Sequence, residues 1–63
     1  MRQFEFKGDI TNAESGEVLD NIKIVIEAFT RDEAGEYADE EFEYRCLEYV
    51  CETEYEYELI DVH

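Results

Sequence analysis

The chain has 63 residues, of which 19 are Asp or Glu and only 5 are Lys or Arg, so its net charge is −14. A chain of this length predicts a single domain over residues 1–63, and a domain of about 60 residues buries only about 60% of its unfolded surface. That core is too thin to enclose a substrate cavity, so an enzyme is the least expected class. The charge disfavours direct binding to nucleic acid or to anionic membranes and favours a basic protein partner.

No apolar stretch approaches the roughly 20 residues that cross a bilayer, and no signal segment is recognisable, so we expect a cytoplasmic protein. The charge is divided unevenly along the chain. Residues 1–31 contain six acidic and four basic side chains, whereas residues 32–63 contain thirteen acidic side chains and one basic one. Because no Pro-rich or Gly-rich linker separates the halves, this indicates one domain with an asymmetric surface.

The first part of the chain predicts a β-hairpin. Phe4 and Phe6 alternate with polar residues in a pattern that reaches Ile10, which is typical of a half-buried strand. Residues 11–16 have the composition of a turn. A second strand begins at Val18, and its apolar face consists of Ile22, Ile24, Ile26 and Ala28.

A helix is predicted to begin after Phe29. Residues 30–33 read Thr-Arg-Asp-Glu, which fits the capping box in which the Thr hydroxyl and the Glu carboxylate satisfy backbone amides. At 100° per residue the inward face contains Ala34, Tyr37, Ala38, Phe42 and Tyr44, and the opposite face is acidic. The pattern breaks after Tyr44, so the helix should end between residues 44 and 50. An i,i+4 contact between Glu41 and Arg45 is expected at its rim.

The last segment has the most regular alternation. Thr53, Tyr55, Tyr57, Leu59 and Asp61 are predicted on one face, and Glu52, Glu54, Glu56, Glu58 and Ile60 on the other. The predicted fold is therefore α+β: a β-β-α-β domain with a three-stranded antiparallel sheet in the order 2-1-3, reached by a right-handed crossover, and one helix on one face. An all-β arrangement of residues 41–62 is the alternative, since Phe42 and Tyr44 also alternate.

No catalytic or cofactor-binding motif is present. Cys46 and Cys51 are expected to be reduced thiols that act as small buried hydrophobic residues, because a metal site would need more ligands than two Cys and His63 provide. His63 is expected to be a solvent-exposed group. We therefore predict no metal, no cofactor and no catalytic residue.

Two acidic rows are the candidate partner-binding residues. A strand with Glu at every second position places carboxylates about 6.6–6.8 Å apart, and either row could approximate a phosphate backbone for a basic groove. Such rows are often only solvated surface, or an adaptation to high salt, but twelve net negative charges within 32 residues require the fold to accept self-repulsion. The candidates are Glu36, Asp39, Glu40 and Glu43 on the helix and Glu52, Glu54, Glu56 and Glu58 on the third strand.

In size and charge the chain resembles the small acidic proteins with which phages and mobile elements mimic nucleic acid, such as anti-CRISPR, anti-restriction and glycosylase-inhibitor proteins. Residues 25–34 also look like the junction of strand and capped helix in small phage and bacterial α+β domains. The resemblance implies a stoichiometric inhibitor in the cytoplasm of an infected or lysogenic host. It would occupy the basic DNA-binding groove of a CRISPR effector or restriction enzyme.

The alternative is a non-enzymatic adaptor or immunity-type module with an acidic rim. It would bind a basic protein through Val25 and Phe29 on the open face of the sheet. We expect a monomer, and the alternative state is a homodimer formed by pairing of open strand edges.

Overall fold

The structure, a computed structural model, describes residues Met1 to His63. It consists of β1 (Arg2–Asn12), β2 (Val18–Ala28), α1 (Arg31–Cys46) and β3 (Thr53–Val62). The strands form one antiparallel sheet in the order β2-β1-β3, which confirms the predicted fold class and strand order. Because the helix extends to Cys46, the all-β arrangement of residues 41–62 is wrong.

One face of the sheet is covered by α1, and we call it the covered face; the other is the open face. Alternation along the strands places apolar side chains on the covered face, where cross-strand pairing brings Phe6 beside Ile24 and Gly8 beside Ile22. The core thus lies between the sheet and a single helix, and its size is set by that one contact. Its nine buried residues are Phe4, Phe6, Ile10, Ile22, Ile24, Ala28, Ala34, Ala38 and Phe42.

The helix begins with the predicted cap. The Glu33 amide donates to Thr30 Oγ1 at 3.2 Å. The Glu33 carboxylate accepts from the Phe29 amide at 3.5 Å, one residue earlier than a standard capping box predicts. At its other end, Arg45 Nε donates to Glu41 Oε1 at 3.2 Å, which confirms the expected i,i+4 pair.

The buried stripe of α1 is narrower than predicted. Ala34, Ala38 and Phe42, four residues apart, are fully buried, whereas Tyr37 and Tyr44 are 47% and 64% exposed. The expectation that both tyrosines face the core is therefore wrong. Two alanines on the contact line let the helix lie close to the sheet, so only this stripe is covered.

Gly8 makes room for the one large side chain of that stripe. A Cβ atom on Gly8 would lie 2.6 Å from Phe42 Cε1 and 2.5 Å from the carbonyl oxygen of Glu56. The Phe42 ring stacks on Tyr57, with centroids 5.2 Å apart and an interplanar angle of 5°. The absence of a side chain at Gly8 thus allows helix and sheet to interlock.

A bulge in β3 overturns one prediction about its faces. Phe6 pairs with Leu59 but Glu5 pairs with Asp61, so Ile60 is an extra residue in the ladder. Asp61 therefore lies on the open face opposite Glu5 and not beside the tyrosines, as the plain alternation predicted.

The two cysteines differ in environment. Cys46, the last residue of α1, is half-buried against the core, whereas Cys51 is exposed in the connection to β3, so its predicted burial is wrong. Both are free thiols, as expected. The only helix is too short and too polar to span a membrane.

Candidate acidic interface

The open face collects carboxylates from two neighbouring strands. β3 contributes Glu side chains at every second position, which places them about 6.6–6.8 Å apart along the strand. Pairing with β1 adds two acidic residues from the centre of the sheet. We call the resulting group the open-face patch, and its members are Glu5, Asp9, Glu54, Glu56, Glu58 and Asp61.

Most of these carboxylates lack a counter-charge. Glu5 lies directly opposite Asp61, and Asp9 directly opposite Glu56, so two cross-strand pairs juxtapose like charges, whereas Glu58 lies opposite Lys7. The structure contains two ion pairs: Glu41 with Arg45 on the helix, and Asp61 with His63 at 3.3 Å. Only the second touches the open-face patch, and it is charged only when the imidazole is protonated. Lys7 forms no ion pair and is the one basic residue paired with a member of the patch, so the six carboxylates leave the patch strongly negative.

The second acidic surface lies on the solvent side of α1. Glu36, Glu40 and Glu43 are exposed, and at 100° per residue they point away from the buried stripe. We call them the helix row. Because α1 packs on the covered face, the helix row and the open-face patch are on opposite sides of the molecule.

The two surfaces meet at the outer edge of β3. A groove between α1 and this edge is lined by Glu36 and Asp39 from the helix and by Glu58 from the strand. Arg31 is the only basic residue in the groove. Negative charge therefore continues around the β3 edge from one side of the molecule to the other, and we call this continuous surface the acidic band.

Asp39 lies in this band but has structural hydrogen bonds. Its Oδ1 accepts from the Tyr55 hydroxyl at 2.7 Å and from the Tyr57 hydroxyl at 3.4 Å. The hydrogen bond to Asp39, followed by burial and by the charge of Asp39, raises the pKa of Tyr55 to about 12. Burial, then the same carboxylate, raises the pKa of Tyr57. Asp39 thus joins helix and sheet, unlike the three members of the helix row.

The eight sequence-derived candidates are therefore divided by the fold. Glu54, Glu56 and Glu58 lie together on the open face, while Glu52 precedes β3, where its carbonyl oxygen accepts from the Ala13 amide at 2.9 Å. The others are the three residues of the helix row and Asp39 between the two surfaces.

Sequence reasoning missed Glu5, Asp9 and Asp61 as members of the acidic surface. For Glu5 and Asp9 the signal was available, because they alternate with the buried Phe4, Phe6 and Ile10 and the predicted strand order places β1 beside β3. For Asp61 it was not, since its position depends on the bulge at Ile60.

Comparisons with protein-family models, curated proteins and solved structures gave no match. The resemblance to acidic nucleic-acid mimics therefore rests on size and charge.

Proposed function

We propose that the protein is a stoichiometric inhibitor that occupies the basic DNA-binding groove of a host-defence complex, such as a CRISPR effector or restriction enzyme, and so blocks its target DNA. The observation that carries the proposal is the acidic band, which extends over α1, β3 and β1 with few basic residues and largely without ion pairs. Such a surface is complementary to a groove whose Lys and Arg side chains normally hold phosphates.

The spacing of the β3 carboxylates supports mimicry of one DNA strand. Duplex DNA presents a phosphate about every 3.4 Å of axis on each strand, so Glu54, Glu56 and Glu58, spaced about 6.6–6.8 Å apart, match every second phosphate. The domain is elongated, with extents of 38 × 17 × 14 Å, which suits a long groove better than a compact pocket.

The rigidity of the surface also supports the proposal. The β3 backbone is held by pairing with β1, and Tyr55 and Tyr57 on its covered face are fixed by Asp39 and by stacking on Phe42. Carboxylates on such a strand are positioned before the partner arrives, so less conformational entropy is lost on binding than for an acidic tail.

The test begins with capture of partners from a bacterial lysate, eluted first by a salt step and then by excess duplex DNA. We expect a nucleic-acid-binding complex that DNA displaces, with an affinity that falls steeply as ionic strength rises. A partner that survives both elutions would contradict mimicry and favour an adaptor that binds through the exposed Val25 and Phe29.

Three charge-reversed variants then locate the contact on the captured complex. We expect E54K/E56K/E58K to lower the affinity about 100-fold or more, because each reversal places a cation against a basic groove. The variant E36K/E40K/E43K measures how much the helix row contributes to the affinity. The matched control E14K/E17K/E48K makes the same change in net charge outside the open-face patch and the helix row. If the control weakens binding as much as the β3 variant, net charge and not the β3 surface determines binding.

A further inference from the structure

Strand β2 forms the other edge of the sheet, and its outward backbone groups can be identified. Gln3 exchanges both backbone hydrogen bonds with His63, at 3.1 and 2.8 Å, so the Gln3 amide and carbonyl point toward β3. Neighbouring residues in a strand point to opposite sides, so Phe4 and its partner Ile26 bond to each other. The N–H and C=O groups of the alternate β2 residues, Lys23, Val25 and Glu27, therefore point outward and have no partner strand.

The side chains along this edge differ sharply from those of β3. Between its ends β2 carries one basic and two acidic residues, Lys23, Asp20 and Glu27. Val25, in the middle, is 54% exposed, and Phe29, just beyond the strand, is 68% exposed. The β2 edge is thus close to neutral and partly apolar, which is the type of edge that other strands can join.

Lys23 also lacks a counter-charge within its own chain. It lies directly opposite Lys7 in the sheet, and no carboxylate is within ion-pair distance of either lysine. Like charges that face each other across strands destabilise a sheet, so an acidic group placed beside Lys23 would stabilise it.

We propose that two copies of the chain pair antiparallel through β2, with Val25 opposite the partner's Val25 and Lys23 opposite the partner's Glu27. In a two-fold dimer that extends the sheet, each residue must face one that projects to the same side. Centring the pair on Lys23 opposes two lysines, and centring it on Glu27 opposes two glutamates. Centring the pair on Ile24 or Ile26 places Lys23 and Glu27 opposite uncharged side chains of the partner. Centring it on Val25 pairs each Lys23 with the partner's Glu27.

The β3 edge cannot serve in the same way. Its open-face side chains from residue 54 to 58 are all glutamates, so antiparallel self-pairing centred there would set carboxylate against carboxylate. Pairing through β2 gives a six-stranded sheet in which both β3 strands are outermost, so the most acidic surfaces are as far apart as the sheet allows. The dimer goes beyond the proposed function and is tested without any partner.

The experiment is sedimentation equilibrium of the full chain in physiological salt at concentrations up to about 1 mM, the range that detects weak self-association. We expect the wild-type protein to dimerise. K23E and E27K should each be at least tenfold weaker, because each creates two like-charge pairs across the dimer axis. Circular dichroism checks that both variants fold.

The decisive experiment combines the two charge variants. An equimolar mixture of K23E and E27K should form a heterodimer, since every Glu of one chain then faces a Lys of the other, and K23E/E27K should recover self-association. The matched control R45E makes the same change in net charge on the helix, outside the β2 edge, and should still dimerise. A monomeric wild-type protein, a K23E variant that dimerises normally, or a mixture that stays monomeric would each overturn the proposal.

Discussion

The covered and open faces of the sheet are built from the same three strands but differ in how their polar and charged groups are paired. On the covered face polar atoms are used only where a partner is available, as with Tyr55 and Asp39, and no buried side-chain nitrogen or oxygen lacks a hydrogen bond. On the open face, carboxylates face carboxylates, as with Glu5 and Asp61. Stability is therefore concentrated on one face, which leaves the other free to carry charge that weakens the fold.

The largest effect on stability is expected when the side chain at the centre of the covered face, Phe42, is removed. Phe42→Ala should lower the free energy of unfolding by about 3–5 kcal/mol, because it empties the largest buried site of a small core. Thermal and urea unfolding measure the loss. A change below about 1 kcal/mol would show that the stacked tyrosines do not depend on Phe42.

The glycines give a matched pair that tests the interlock of helix and sheet. Gly8→Ala places a methyl group against Phe42 and a backbone oxygen, and should destabilise the protein by about 1–3 kcal/mol. Gly35→Ala meets nothing within 4 Å and should stabilise the helix by about 0.5–1 kcal/mol. Equal effects of the two substitutions in urea unfolding would contradict the close approach at Gly8.

Asp39 tests whether an acidic residue of the band belongs to the covered face. Asp39→Ala should cost about 1–2 kcal/mol through loss of the tyrosine hydrogen bonds, whereas Glu40→Ala on the same helix should change stability little. Since the pKa of Tyr55 is raised to about 12 in the folded state, its contribution is complete below about pH 10, the unfolded pKa, and is lost as the pH rises through about 12.

Absorbance titration of the tyrosines follows this ionisation directly. In Asp39→Ala, one late-titrating tyrosine should move toward the ordinary value, and the fall in stability between pH 10 and 12 should become shallower. An unchanged titration would show that Asp39 does not raise the pKa of Tyr55.

The smallest effect is expected on the open face, with the opposite sign. E54Q/E56Q removes the carboxylate opposite Asp9 and its like-charged neighbour on β3, and should raise stability by about 0.5–1 kcal/mol at low salt, with less gain as salt increases. Chemical unfolding at two ionic strengths measures this gain. Destabilisation would mean that these carboxylates contribute to the fold.

Much of the fold could be predicted because its patterns are local. Alternation of Phe4 and Phe6, the Thr30 cap and the alternation in β3 each specify one element from a few neighbouring residues. The exposure of Tyr37 and Tyr44 could not be predicted, since it depends on how closely the helix approaches the sheet. The position of Asp61 depends on a bulge, and the role of Asp39 requires knowing that Tyr55 and Tyr57 reach the helix. The three-dimensional acidic band needed the same long-range information.

The central position of β1 has consequences for folding. Its pairs with β2 join residues that are close in the chain, such as Ile10 and Asp20. Its pairs with β3 join residues that are far apart in the chain. The separation is 41 positions for Asn12 and Thr53 and 58 positions for Phe4 and Val62. The hairpin should therefore form first, and closure of the sheet by β3 should limit the folding rate. Until β3 pairs, one long edge of β1 is uncovered, and the high negative charge of the chain should oppose aggregation through that edge.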